Sequence, residues 1–139
     1  TTCDVPVIST DFYPTFLEAC GLELKPDQHK DGVSLLPLLK DPAAEFERGP
    51  IFWHYPHWGN QGGLPSAAVR DGDWKLIEYY WGKEPELFNL RSDPGERKNI
   101  AANHPEKLAD LKSKLDSFRK NTDALLPAVN PKVTDFKMW

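Results

Sequence analysis

The sequence predicts an α+β fold: a four-stranded antiparallel sheet packed against one long C-terminal helix, with a helical segment before the sheet. Two observations predict it. Residues 50–90 alternate short β-like runs with turn residues, and residues 105–120 carry one continuous helical stripe of apolar side chains. One striped helix needs one apolar surface to cover, and an antiparallel sheet supplies that surface.

Composition is that of a globular protein. With 139 residues, 40% of them hydrophobic and 27% charged, the chain is long enough to bury a real core. The net charge is -4, and no block of like charge interrupts the sequence. We therefore expect neither nucleic acid nor an anionic membrane surface as a partner. No apolar run approaches the length of a transmembrane helix.

The first third of the chain is predicted to be mainly helical. Apolar residues recur at helical spacing over about 11–20, and Gly21 follows where a glycine commonly ends a helix. Asp11 is expected to be an N-cap or a first-turn charge. Residues 33–40 predict one or two further helical turns, interrupted near Pro37.

Two cysteines, Cys3 and Cys20, fall in a predicted extended segment and at a predicted helix end. We consider a disulfide between them the less favoured of the two interpretations. Two cysteines in such positions do not fix the redox compartment.

The sheet is predicted from four β-like runs, about 51–54, 66–70, 74–81 and 86–90. Asp71-Gly72-Asp73 separates the second run from the third and is a strong hairpin signal. Large apolar groups alternate onto both faces of the third run, so we expect both faces to be at least half covered. Arg70 and Lys75 are expected to pair with the turn aspartates or with Glu78.

The long helix is predicted over about 105–120. Pro105 suits its first position, with His104 or Asn103 as the cap. The apolar stripe consists of Leu108, Leu111, Leu115 and Phe118. Asp110 and Lys114, and Asp116 and Lys120, are spaced for ion pairs along the helix. Beyond Leu126 the tail shows little periodicity, and we expect coil.

The candidate site is the loop that follows the first strand. Six aromatic, imidazole and amide side chains fall within eight residues there: His54, Tyr55, His57, Trp58, Asn60 and Gln61. Aromatic faces stack on sugar or aryl rings, and imidazole and amide groups bind hydroxyl or anionic oxygens. Two other interpretations stay open, a metal site, which would need further ligands, and histidines that serve the structure alone.

No catalytic group can be singled out from the residues themselves. No serine stands in a nucleophile-elbow context, and no glycine-rich phosphate loop is present. The sequence therefore predicts the wall of a site without the residues that break a bond.

The order of six segments resembles the C-terminal part of arylsulfatase-type, formylglycine-dependent sulfatases, especially bacterial carbohydrate sulfatases. The segments are DFYPTFLEACG, DGVSLLPLL, FWHYPHWGNQGG, AAVRDGDWKLI, ELFNL and DPGERKNIA. The resemblance covers nearly the whole chain and rests on the order of the six segments, since no single one of them is decisive.

The resemblance implies two parts of different origin. Residues 1–45 would be the closing segment of the large catalytic domain, and residues 46–139 would be the smaller C-terminal domain. It also implies a missing N-terminal catalytic domain as partner, which carries calcium and a formylglycine made from the first residue of a C/S-x-P-x-R motif. That motif is absent from this sequence, so the chain is expected to be a truncated piece with no cofactor of its own.

The resemblance further implies a function. The parent protein would be a sulfuric ester hydrolase acting on a sulfated carbohydrate or an aryl sulfate, and its family is usually exported, which implies a periplasmic or secreted location. This chain would shape the substrate pocket through His54 and His57, with Tyr55 and Trp58 beside them, and would be inactive alone. The alternatives are a carbohydrate-binding module that uses the HYPHWGNQ loop and a purely structural lid.

Overall fold

A computed structural model describes residues 2–60 and 62–128 of the chain. It divides into two compact units, one up to Ile51 and the other from Phe52 onward. The predicted boundary near residue 45 stays a prediction. Gln61 of the candidate loop and the coil expected beyond residue 128 lie outside the described residues. Within the described part of the chain, no helix has the length and apolar character needed to cross a bilayer.

The first unit contains two helices, α1 (Phe12–Ala19) and α2 (Leu36–Lys40), and a 3-10 turn (Ser9–Asp11) that leads into α1. The interruption predicted near Pro37 is wrong. Proline lies in the first turn of α2, where its missing N–H would have had no helical partner in any case. Cys3 and Cys20 are both free and exposed.

Asp11 does more in this unit than the expected capping role. Its carboxylate is fully buried and accepts hydrogen bonds from the main-chain N–H groups of Ile8 and Val33. It also forms a 2.7 Å ion pair with Arg48. Three separate segments of the unit therefore meet on one buried charge.

The second unit is built on the sheet, whose strands are β1 (Ile51–Tyr55), β2 (Ser66–Asp71), β3 (Trp74–Tyr79) and β4 (Glu86–Asn89). They lie side by side in chain order, so β1 and β4 are the edge strands. Gly72 takes a φ of +57° in the two-residue loop between β2 and β3. The predicted α+β fold and its Asp-Gly hairpin are confirmed.

Helix α3 (Pro105–Asn121) covers one face of the sheet. Leu111 and Leu115 of the predicted stripe are fully buried, and Leu108 and Phe118 pack against the same core. The residues that the sheet contributes to this core are Ala67, Val69, Leu76 and Leu87. On β3, Leu76 is buried while Ile77 and Tyr79 on the other face are half-buried, so both faces are covered as expected.

The expected ion pairs of Arg70 and Lys75 are wrong. These two residues lie directly opposite each other in the β2–β3 register and therefore share one face, whereas Glu78 points to the other. Lys75 instead donates a 2.6 Å hydrogen bond to Glu96, and Arg70 donates to the Gly72 carbonyl. On the helix, the Asp110–Lys114 pair forms at 3.1 Å, but Asp116 pairs with Arg119.

Candidate functional site

The candidate loop begins where strand β1 ends. Phe52 packs on the core and stacks on Phe118 of α3 with ring centres 4.5 Å apart, so its side chain lies on the helix side of the sheet. By strand alternation His54 lies on that same side, and Tyr55 points to the opposite one. The two predicted site residues therefore leave the strand in different directions.

His54 is half-buried, and both of its ring nitrogens have partners inside the chain. Nδ1 lies 2.7 Å from the hydroxyl oxygen of Tyr80, and Nε2 lies 3.0 Å from the carbonyl oxygen of Leu125. The Tyr80 ring meets the imidazole edge to face, with centres 5.7 Å apart. This arrangement leaves neither nitrogen of His54 open toward a ligand.

His57 and its aromatic neighbours form the exposed part of the loop. The His57 ring meets the Tyr55 ring edge to face at 5.5 Å, and both side chains are exposed. The Trp58 indole lies nearly parallel to that of Trp81, at an interplanar angle of 10° and a centre-to-centre distance of 6.4 Å. Tyr55, His57 and Trp58 are thus exposed within four consecutive residues of the loop, in two aromatic pairs, Tyr55–His57 and Trp58–Trp81.

Glycines close the remainder of the loop. The N–H of Gly59 donates to the carbonyl of Gly63 at 2.9 Å, and the N–H of Gly62 donates back to Gly59 at 3.1 Å. A Cβ atom on Gly59 would approach the backbone of Gly63 to 3.2 Å. Larger residues are therefore disfavoured at Gly59.

A charged cluster lies beneath His54 and Tyr80. Glu78 of β3 accepts hydrogen bonds from Lys112 and Arg119 of helix α3. The Arg119 guanidinium also lies 5.2 Å from the centre of the Tyr80 ring, within cation–π range. The helix is thus connected to the site by polar contacts as well as by its apolar stripe.

The pKa values of this cluster follow from burial and charge. Burial by itself would raise the pKa of Glu78, but the hydrogen bonds from Lys112 and Arg119 bring it below its ordinary value. Burial raises the pKa of Tyr80, although the charge of Arg119 opposes the shift. Glu78 is therefore ionised and Tyr80 protonated near neutral pH.

The resemblance implies a metal and a formylglycine for the catalytic domain of the parent, and the described residues of this chain are assigned neither. Among residues 2–60 and 62–128, no three His, Cys, Asp or Glu side chains come together in a way that could hold a metal ion. Cys3 is followed by Asp-Val-Pro-Val and Cys20 by Gly-Leu-Glu-Leu. We therefore assign no bond-breaking step to these residues.

Four residues that support the loop are not indicated by the sequence as site residues: Tyr80, Trp81, Arg119 and Leu125. Tyr80 and Trp81 were predicted as strand residues, but β3 ends at Tyr79. The one sequence signal for Tyr80 and Trp81 is that they form an aromatic pair at the end of a predicted strand, in a protein with an aromatic loop. No local pattern indicates that the main chain at Leu125 lies beside His54.

Comparison with known proteins gives one family match and many relatives. The family model described as N-sulphoglucosamine sulphohydrolase, C-terminal, matches residues 1–121. Arylsulfatase K of Xenopus laevis is 34% identical over 116 residues, which cover 78% of this chain and 21% of that protein. The chain therefore spans about a fifth of the length of the curated relatives it matches.

Solved structures of sulfatases share the fold. BT4656, solved in complex with its substrate D-glucosamine-2-N,6-O-disulfate, is 30% identical with a TM-score of 0.67, over 82% of this chain and 24% of that one. BT1596, a 2-O GAG sulfatase, is 25% identical with a TM-score of 0.70, over 88% of this chain and 27% of that one.

Proposed function

The chain belongs to the sulfatase family whose model is described as N-sulphoglucosamine sulphohydrolase, C-terminal, and on this premise we propose that it shapes the substrate pocket of a sulfuric ester hydrolase. The exposed cluster of Tyr55, His57 and Trp58 carries the proposal. Its aromatic faces offer stacking surfaces for a sugar or aryl ring, and the imidazole offers a hydrogen bond to a hydroxyl or sulfate oxygen.

The order already present in this cluster supports a binding role. Trp58 stacks on Trp81, and His57 packs against Tyr55, so the side chains lose little freedom when a ligand arrives. The substrate class we propose is a sulfated carbohydrate or an aryl sulfate. Two similar proteins point the same way, one solved with a disulfated glucosamine and one described as a GAG sulfatase.

We infer that hydrolysis belongs to a larger N-terminal catalytic domain, which would supply the formylglycine nucleophile and the calcium, and that this chain is inactive alone. Exposed apolar side chains on the first unit support such a partner. Phe12 and Phe16 stack at 6.0 Å and are both more than half exposed, and Leu22 is equally accessible. An apolar surface of this kind typically marks a docking site. By analogy with the family, we propose a periplasmic or secreted location.

Substitution of His57 in the full-length protein tests the binding role. In His57→Ala we expect KM for a sulfated sugar to rise about tenfold, which corresponds to one lost hydrogen bond to a charged group. The exposed Lys120→Ala variant is the control and should keep the wild-type KM. An unchanged KM in His57→Ala would contradict the proposal.

The isolated 139-residue chain tests where hydrolysis occurs. We expect it to leave an aryl sulfate intact, and we expect added calcium not to shift its melting temperature. Hydrolysis by the isolated chain, or a clear upward shift with calcium, would place catalytic or metal-binding groups within these residues.

A second candidate, a purely structural lid, is favoured by one observation, the two internal hydrogen bonds of His54. If the chain were only a lid, His54→Ala would lower the melting temperature of the full-length protein, and neither His54→Ala nor His57→Ala would change its substrate preference. If it were an independent carbohydrate-binding module, the isolated chain would bind a sulfated disaccharide. Calorimetry and substrate kinetics on the same variants separate the three cases.

A further inference from the structure

We propose that His54 is a positioning residue: its imidazole connects the segment after helix α3 to the end of strand β1 and thereby orders the loop that carries His57. The hydrogen bonds to Tyr80 and Leu125 carry this inference. The expected consequence of His54 for hydrolysis rests on the proposed function. The link that His54 makes between Leu125 and Tyr80 does not depend on that function.

The chemistry of the two partners fixes the tautomer of His54. A main-chain carbonyl only accepts hydrogen bonds, so Nε2 must carry the proton that is donated to Leu125. In the neutral imidazole Nδ1 is then an acceptor, and the Tyr80 hydroxyl donates to it across 2.7 Å. The neutral ring therefore has one orientation and one tautomer that satisfy both partners.

Tyr80 is itself held in place from below. The guanidinium of Arg119 lies against the face of its ring, 5.2 Å from the centre, and Arg119 is held by a 2.8 Å hydrogen bond to Glu78. The side chain of Arg119 is only 13% exposed, so solvent competes weakly for these contacts. The Tyr80 hydroxyl consequently reaches His54 from a fixed position.

The end of helix α3 brings Leu125 to the imidazole. Asp123 adopts a positive φ of +50°, and the N–H of Ala124 donates to the Arg119 carbonyl at 2.9 Å. This pattern ends the helix in a Schellman motif and reverses the chain toward the sheet. The Leu125 side chain is 82% exposed, so burial contributes little to holding this segment, and the hydrogen bond to His54 is its anchor.

The position of His54 explains why this anchor affects the loop. Tyr55 follows it directly, and His57 and Trp58 lie three and four residues further on. Among the residues that the structure describes, β1 has a hydrogen-bonded neighbour strand, β2, on one side only. The contacts of His54 fix the end of β1, where the loop begins. They therefore limit the orientations available to the exposed cluster.

Nitrogen-15 NMR of the histidines in the isolated 139-residue chain tests the tautomer. At pH 8 we expect His54 to be a single Nε2–H tautomer, because only that tautomer satisfies both of its partners. A His54 protonated on Nδ1, or one that averages between tautomers, would overturn the proposal.

Hydrogen exchange of the same chain tests the anchor. Tyr80→Phe keeps the ring but removes the donor to Nδ1, and His54→Gln keeps one donor and one acceptor. We expect Tyr80→Phe and His54→Ala to speed exchange of the Thr122 and Ala124 amides roughly fivefold, as loss of one hydrogen bond predicts, and His54→Gln to restore much of the protection. Unchanged exchange in Tyr80→Phe, which retains the packing of the ring, would refute the anchor.

Kinetics of the full-length protein test the consequence for the site. A positioning role predicts that Tyr80→Phe raises KM as His54→Ala does, and that the double variant is no worse than His54→Ala alone. If His54 instead touches the substrate, the two effects add. Should the full-length protein hydrolyse no sulfate ester, the proposed function fails, but the NMR and exchange results still decide the role of His54.

Discussion

Arg119, in the last turn of helix α3, donates a 2.8 Å hydrogen bond to Glu78, the next-to-last residue of strand β3. The two residues are 41 positions apart in the chain. Glu78 also accepts a hydrogen bond from Lys112, so one carboxylate holds two cations of the same helix. Through Arg119 and Tyr80, this pair connects the core of the second unit to His54.

Glu78→Gln tests the contribution of this cluster to stability. Glu78 and Arg119 are only 21% and 13% exposed, so removing the carboxylate leaves the Arg119 guanidinium without its charged partner where little solvent can screen it, whereas Lys112 is 50% exposed. We expect a loss of about 2 kcal/mol in the free energy of unfolding at pH 7, measured with urea. Asp110→Asn, which removes an exposed acceptor on the same helix, should have a smaller effect.

Acidification should abolish the difference between wild type and Glu78→Gln. The pKa of Glu78 is lower in the folded chain than in the unfolded one, because the hydrogen bonds from Lys112 and Arg119 outweigh its burial. Its stabilising contribution is therefore complete above the unfolded pKa of about 4.3 and disappears as the pH falls through the lower folded pKa. Urea curves that keep the same difference at pH 7 and pH 2 would contradict this assignment.

Leu115→Ala tests whether the stripe of α3 is the core of the second unit. Leu115 is fully buried among sheet residues, so truncation leaves a cavity. We expect the free energy of unfolding to fall by about 3 kcal/mol, measured by chemical denaturation. Leu125→Ala, a matched change at a side chain that is 82% exposed, should cost less than about 0.5 kcal/mol.

Asp123→Gly should stabilise the end of helix α3. Asp123 holds a φ of +50°, which glycine adopts without the steric cost of a Cβ atom. We expect a gain of about 0.5–1 kcal/mol in the free energy of unfolding and slower exchange of the Ala124 amide. Asp123→Ala should be less stable than the wild type, because alanine tolerates this region less well than aspartate. If Asp123→Gly were instead less stable than the wild type, the aspartate side chain itself would stabilise the turn.

Gly32→Ala should destabilise the first unit. A Cβ atom at Gly32 would lie 2.2 Å from the carbonyl oxygen of Thr10 and 2.8 Å from its carbon, and both are main-chain atoms. The backbone must therefore move, at an expected cost of about 2 kcal/mol or more. This loss of stability would be measured as faster hydrogen exchange of the α1 amides. Gly49→Ala meets nothing within 4 Å and should leave those amides unchanged.

Local patterns predicted most of the second unit. The helical stripe and the Asp-Gly turn gave α3 and the β2–β3 hairpin, because both depend on residues close together in the chain. The exposed candidates His57, Tyr55 and Trp58 were also identified from their residue types. Their contact with a substrate stays a prediction.

Side-chain partners were harder to predict. Lys75 was expected to pair near its own hairpin and instead meets Glu96, because the pleat places it and Glu78 on opposite faces. Asp11 was expected to cap a helix, yet its carboxylate joins Ile8, Val33 and Arg48. Each of these contacts depends on how the chain returns after a turn, which local spacing does not encode.

The sequence by itself determined the α+β architecture, the position of the aromatic loop and the family to which the chain belongs, because periodicity, turn residues and segment order are local or linear properties. Only the tertiary structure decided that His54 faces inward and His57 outward. The reason is physical: the partners of His54 lie 26 and 71 residues away, and they meet its two nitrogens only after the sheet has set its register and α3 has ended in a reversal.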